Sequence, residues 1–280
     1  MRRSFLSRLH TNGIYYIIGA LILLLVIPLY QLLILVPQGY GDALAATNKD
    51  HLTSYLLWIS NHLGQFIGYR ALLLIAFICL ISLPFTLFRI IVAQEILGQD
   101  EEVETEQEAE HEDTQSNGEM PVNAWRGKGY AVLAAWAGLL GIICYALGTL
   151  ASTLFLLLVG TQSIALTSPH GNTIVCTSTC LTLSSTFAII TNTVGGGLLA
   201  LAQLFFGAII ARRGRNLWPG SWVAFSYMAL ATAALFSGSA VEVASAPTET
   251  QAPLTSPAIL LFAIWVLWFG IMLVRLKPEA

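Results

Sequence analysis

The sequence predicts an all-α fold: a polytopic transmembrane helical bundle with six spans and one interfacial amphipathic helix. Three observations carry that expectation. Hydrophobic residues make up 56% of the chain and charged residues only 10%. Soluble domains carry roughly 25% charged residues, so this chain has too little polar surface to cover a water-facing fold. The apolar residues gather in six long runs, and the basic residues fall on alternate sides of them. The formal net charge of −3 and the pI near 5.9 average one acidic stretch with several basic clusters.

A bilayer admits only helices and closed barrels, because each backbone amide must be satisfied within the protein. About 20 apolar residues carry a helix across. The runs 14–36, 71–93, 130–159, 187–211, 217–236 and 258–274 meet that requirement, without the alternation of barrel strands. The last is the shortest and needs thinned lipid or snorkelling flanks. Pro28 and Pro84 are expected to bend the first two. At 23 residues the first run exceeds a signal-peptide core of about 7–15, and the small-residue triplet Ala43-Leu44-Ala45 falls well past its end. It reads as an uncleaved anchor.

Counting Lys and Arg by loop sets the direction. Arg2, Arg3, Arg8, Arg89, Arg126, Lys128, Arg212, Arg213, Arg215, Arg275 and Lys277 share one side, 11 of the 13, leaving Lys49 and Arg70 on the other. Positive residues are retained in the cytoplasm during insertion. Both termini are therefore expected to be cytoplasmic, in a plasma membrane of the bacterial inner-membrane kind. Trp125, Trp218 and Trp222 fall at inner ends, where amphipathic rings favour the headgroup layer; Trp136, Trp265 and Trp268 lie deeper.

The chain divides into a two-span segment, 1–94, an acidic linker, 95–125, and a four-span segment, 126–280. In the first, Leu56, Ile59, Leu63 and Phe66 recur at helical spacing while Asn61, His62 and Gln65 share another side. This makes 51–69 an amphipathic helix, lying in the outer interface or re-entrant. A helix continuous with the second span would be too long, so a break is expected near Gly64 or Gly68. The stretch 95–119 carries 11 of the 16 acidic residues and almost no apolar ones. It is expected to be a disordered, solvated tether, or a docking tail for a basic cytoplasmic partner.

Few residues point to chemistry. Cys176 and Cys180 lie four apart in an outer loop with His170 nearby. A disulfide or free thiols fit that spacing, and one histidine with two thiols is incomplete for structural zinc. Cys79 and Cys144 read as small packing residues. No Asp or Glu lies within a run, which disfavours a pump built on buried carboxylates. Arg89 can snorkel, and so can Arg70, which enters the membrane only if its span begins near His62. In the fourth run Asn192 and Gln203 are eleven residues apart, almost three turns, and share a face with Gly196 and Gly207. Gly195-Gly196-Gly197 offers a hinge or break there. Asn192, Gly196, Gln203 and Arg70 form the candidate substrate-binding set, with close helix packing as the alternative. In the third run Ala134, Gly138, Gly141, Gly148 and Ser152 make a small-residue seam for a neighbouring helix of this chain or of another subunit.

No histidine pair within the runs suggests haem, and no phosphate loop, H-E-x-x-H or G-x-S-x-G motif is present. No cofactor, metal or nucleic acid is expected. The partners expected are the lipid bilayer and, beyond it, another membrane protein or the basic cytoplasmic one. Three functions fit: a non-enzymatic membrane component or complex subunit, a transporter for a neutral or lipidic solute, and a membrane-embedded enzyme using His62, Arg70 or His170.

Overall fold

The computed structural model describes residues 2–46, 52–95, 128–165, 178–245 and 257–276, and every regular element among them is helical. Six helices are long and apolar enough to cross a membrane: α1 (Ser7–Gln38), α4 (Leu63–Glu95), α5 (Lys128–Ala165), α6 (Thr182–Asn216), α7 (Gly220–Ser245) and α8 (Pro257–Arg275). Two short helices, α2 (Tyr40–Ala46) and α3 (Leu52–Asn61), join α1 to α4. Five of the six expected runs fall inside these spans, and the run 217–236 does so from Gly220 onward, so the chain is a multi-pass integral membrane protein of the all-α class. Cys176, His170, Trp125 and the acidic residues of 100–119 lie outside the described residues.

The spans close into a cycle. In order, α1 packs on α4, α4 on α5, α5 on α6, α6 on α7, α7 on α8, and α8 returns to α1. Lipid tails are as apolar as leucine, so burial from water does not drive this assembly; close packing and interhelical hydrogen bonds do. Glycines set the approach distances. A Cβ on Gly270 would lie 2.9 Å from the Gly13 carbonyl oxygen, and one on Gly207 would lie 2.9 Å from that of Ser226. The interior is filled by aromatic rings: Phe225 stacks on Trp265 at 4.7 Å, and Tyr16 on Phe269 at 5.7 Å. Outward faces carry Leu33, Ile78, Leu158 and Val241, all more than half exposed, as a lipid-facing belt requires.

The small-residue seam of α5 is internal. Gly138 receives Pro84 of α4 and Ala202 of α6, Gly141 receives Leu199, and Gly148 meets Thr191. Ala134 is fully buried, and the Ser152 hydroxyl donates to the Thr149 carbonyl at 3.1 Å.

Both prolines mark irregular helix. Pro84 has no N–H to offer the Leu80 carbonyl, and α4 leaves α-geometry over residues 80–82, where Leu83 N–H instead donates to Leu80 at 3.0 Å. Pro28 sits between two π-helical turns, Ile22–Val26 and Gln31–Leu35. The break before α4 falls at His62, with φ −126° and ψ 38°, and not at Gly64 or Gly68. The His62 ring folds back over Trp58, 4.9 Å between centroids, and its Nδ1 lies 3.1 Å from the Trp58 carbonyl oxygen. Gly68 stays helical, and a Cβ there would lie 2.9 Å from the Tyr30 hydroxyl. The glycine triplet of α6 is no break either. The helix runs through it, π-helical over Ile189–Gly195 and α-helical from Gly196, with the Tyr145 ring lying against Gly195.

Candidate functional sites

Among the described residues, four groupings of polar side chains join different helices, while buried hydroxyls such as Thr153, Ser226 and Thr232 bond to carbonyls of their own helix. The first is a hydroxyl network where α4 is broken. Tyr16 of α1, fully buried, places its hydroxyl 2.9 Å from Ser82 Oγ and 2.7 Å from Thr86 Oγ1, and Asn12 Nδ2 donates to Thr86 Oγ1 at 3.2 Å. Each group is satisfied, which is what a low-dielectric interior demands. This network ties α1 to α4 and leaves no donor or acceptor for a ligand.

The second place lies between α4, α5, α6 and α8. A cavity of about 10 Å³ is lined by Pro84, Gly138, Ile142, Gln203, Phe206 and Trp265 among others. Gln203 is 2% exposed, and neither its Oε1 nor its Nε2 has a partner; the same holds for Trp265 Nε1. Leaving such a group unpaired costs roughly 1–3 kcal/mol, and a cavity of this size admits about one water molecule. The other members of the α6 set are elsewhere. Asn192 lies in the π-helical stretch, whose i→i+5 bonding winds more loosely than an α-helix. It is half-exposed and does not line the cavity. Gly196 is buried against the Tyr145 hydroxyl and Phe236, so its missing side chain makes room for rings.

The third place is the end of the bundle that carries Arg8, Arg89, Lys128 and Arg212, called here the basic end. Glu95 is 2% exposed, and its carboxylate lies 3.4 Å from Arg213 Nε on α6. Beside it Gln94 Nε2 donates to the Leu217 carbonyl at 3.2 Å, and Trp218 and Trp222 meet at a tilt of 41°, 5.1 Å between centroids, both buried. Sequence composition groups Glu95 with the acidic stretch that follows. Its one distinguishing signal is position, since the end of the second span meets the end of the fourth, where Arg212 and Arg213 lie.

The fourth place is the opposite end, where α1, α2, α3 and α4 meet. Tyr40 of α2 contacts Trp58 (4.9 Å), Tyr55 and Tyr69 (6.2 Å each), and Tyr30 stacks on Tyr69 at 6.4 Å. The Tyr40 hydroxyl hydrogen-bonds with those of Tyr55 and Tyr69. Trp58 Nε1 donates to the Gln38 carbonyl at 2.7 Å, and the Tyr30 hydroxyl to that of Gln65 at 3.1 Å. Burial pushes the Tyr40 phenol well above its ordinary value, with Tyr55 and Tyr69 adding to the shift and Arg70 opposing it. It is a neutral hydroxyl at physiological pH. Arg70 sits at the edge of this cluster with its Cζ 5.2 Å from the Phe66 ring centroid, half-buried, its Nε out of solvent and without a partner.

Arg70 thus lies at one end of the bundle and Gln203 in its interior, with Asn192 and Gly196 at neither site; the four do not form one pocket. The chain matches no family model, no curated protein and no solved structure.

Proposed function

We propose that this protein is a non-enzymatic component of a bacterial plasma membrane, a subunit that acts by holding a partner at its cytoplasmic face. The observation carrying this reading is that much of the interior is taken up by packing: Gly138, Gly141 and Gly148 of the α5 seam and Gly195 of α6 are filled by Pro84, Leu199, Thr191 and Tyr145 of the same chain. The cavity beside Gln203, at about 10 Å³, is too small for a solute larger than water. Association then falls to the surface and the loops. Glu95 and Lys128, the described residues on either side of the acidic sequence, both lie at the basic end, and an acidic sequence suits a basic partner. The test is mild extraction, native mass spectrometry of what stays bound, and the same measurement after Glu101, Glu102, Glu104 and Glu106 are changed to Lys. A stoichiometric second protein lost on charge reversal is expected. Unchanged association removes the acidic stretch from the account, and a chain that never carries a second protein overturns it.

One observation favours a second reading, transport of a small neutral solute: the orphaned amide of Gln203 beside the cavity, with the orphaned Trp265 Nε1 on the same lining. A transporter would need that amide to bind its solute, so Gln203→Met would abolish flux of neutral solutes in proteoliposomes while the protein stays inserted. Identical flux in Gln203→Met and wild type would end this reading.

A further inference from the structure

Arg70 is the one described cation at its end of the bundle, and no described carboxylate pairs with it. Asp42, Glu95 and Glu242 are the described acidic residues; Glu95 belongs to Arg213 at the far end. The ring under the Arg70 side chain is Phe66 of its own helix, which offers a π-face and no negative charge. A cation over a ring gains roughly 0.5–2 kcal/mol. That holds the guanidinium plane in place without using its outward N–H groups.

Its depth is informative. Arg70 immediately precedes the apolar run 71–93 and Arg89 lies near its other end, with residues 80–82 outside α-geometry between them. Each arginine therefore stands near one end of the span, toward the headgroup layer. Arg89 is exposed and free to snorkel. Arg70 is held against Phe66 with Nε desolvated, at the depth where phosphate groups lie, among the Tyr and Trp rings that favour this layer.

We propose that Arg70, steadied by Phe66 and with its buried Nε unpartnered, binds a phosphate-class anion, with a phospholipid headgroup and free phosphate as the two sources of that chemistry. The planar guanidinium fork meets two phosphate oxygens at once, which an ammonium cannot do. Nothing in this site depends on the partner at the basic end.

The test is native mass spectrometry of detergent-purified protein titrated with phosphatidylglycerol, with phosphatidylcholine of the same acyl chains as the comparison and inorganic phosphate as competitor. One phosphatidylglycerol per chain is expected, held at least tenfold more weakly in Arg70→Gln and unchanged in Arg89→Gln. Competition by millimolar phosphate assigns the site to the anion alone; tight lipid binding that phosphate does not displace assigns it to the lipid. Either result keeps Arg70 as the ligand. If Arg70→Gln does not fold, Arg70→Lys gives the same reading, since it keeps the charge, loses the fork and should bind several-fold more weakly. Equal phosphatidylglycerol binding by wild type and the Arg70 variants overturns the proposal, whereas equal retention of phosphatidylcholine and phosphatidylglycerol, both weakened in Arg70→Gln, assigns the site to the phosphodiester they share.

Discussion

Each end of the bundle holds an arginine close to a protein wall, and the two ends treat it differently. At the basic end Arg213 meets the buried Glu95 carboxylate, so one charge answers the other inside the chain. At the opposite end Arg70 meets the Phe66 ring, and its buried Nε has no partner. A paired charge is a fastening between helices, here α4 and α6. An unpaired one, kept at headgroup depth, is open to a ligand.

The largest expected effect on stability is at the fastening. Arg213→Ala leaves Glu95 in place without its cation and should cost about 2 kcal/mol in thermal unfolding in detergent. This is below the 3–5 kcal/mol of a fully buried pair, because the Arg213 side chain is 41% exposed. Glu95→Gln, which removes the charge but keeps the shape, should cost about half as much. Equal costs for the two would show that Glu95 does not depend on Arg213. Next comes Tyr16→Phe, which strips the hydroxyl from Ser82 and Thr86 and should cost about 1.5 kcal/mol. A change near zero would mean the α1–α4 tie is packing alone.

Gln203→Met has the opposite sign. Removing two unpartnered buried polar atoms at nearly constant volume should raise stability by about 1 kcal/mol; a loss would reveal a polar partner for the amide. Smallest of all, Arg70→Gln should leave unfolding within about 0.5 kcal/mol of wild type, because no internal ion pair is lost. Loss of ligand binding with unchanged stability separates the two arginines most sharply.

Much of this was legible in the sequence, for a physical reason. A span of about 20 apolar residues is a long signal, and the runs around 71–93 and 187–211 could not be soluble. The α5 seam was legible too, because a 3-4 repeat of small residues states its own face. What escaped was short-range or long-range. The break at His62 depends on its ring stacking over Trp58, which no spacing announces, whereas glycines nearby drew the expectation to themselves. The π-helical turns around Asn192 and Pro28 change the local winding without any composition change, so no sequence pattern announces them. Gly13 and Gly270 form the closest α1–α8 approach from opposite ends of the chain. Neither has a neighbouring small residue that would mark it. Glu95 was hidden by the company it keeps, and Arg70 was visible as a charge but not as one without a partner.

Both proposals rest on the two ends facing different compartments, so the most direct measurement is sidedness. In a background with the native cysteines replaced, Asn61→Cys and Arg215→Cys, both at exposed positions at opposite ends, are each treated in intact cells with a membrane-impermeant maleimide. Modification of the cysteine at 61 from outside, and of that at 215 only after permeabilisation, is the predicted result. The reverse pattern would place the acidic stretch outside the cell and Arg70 within it, and would contradict the account.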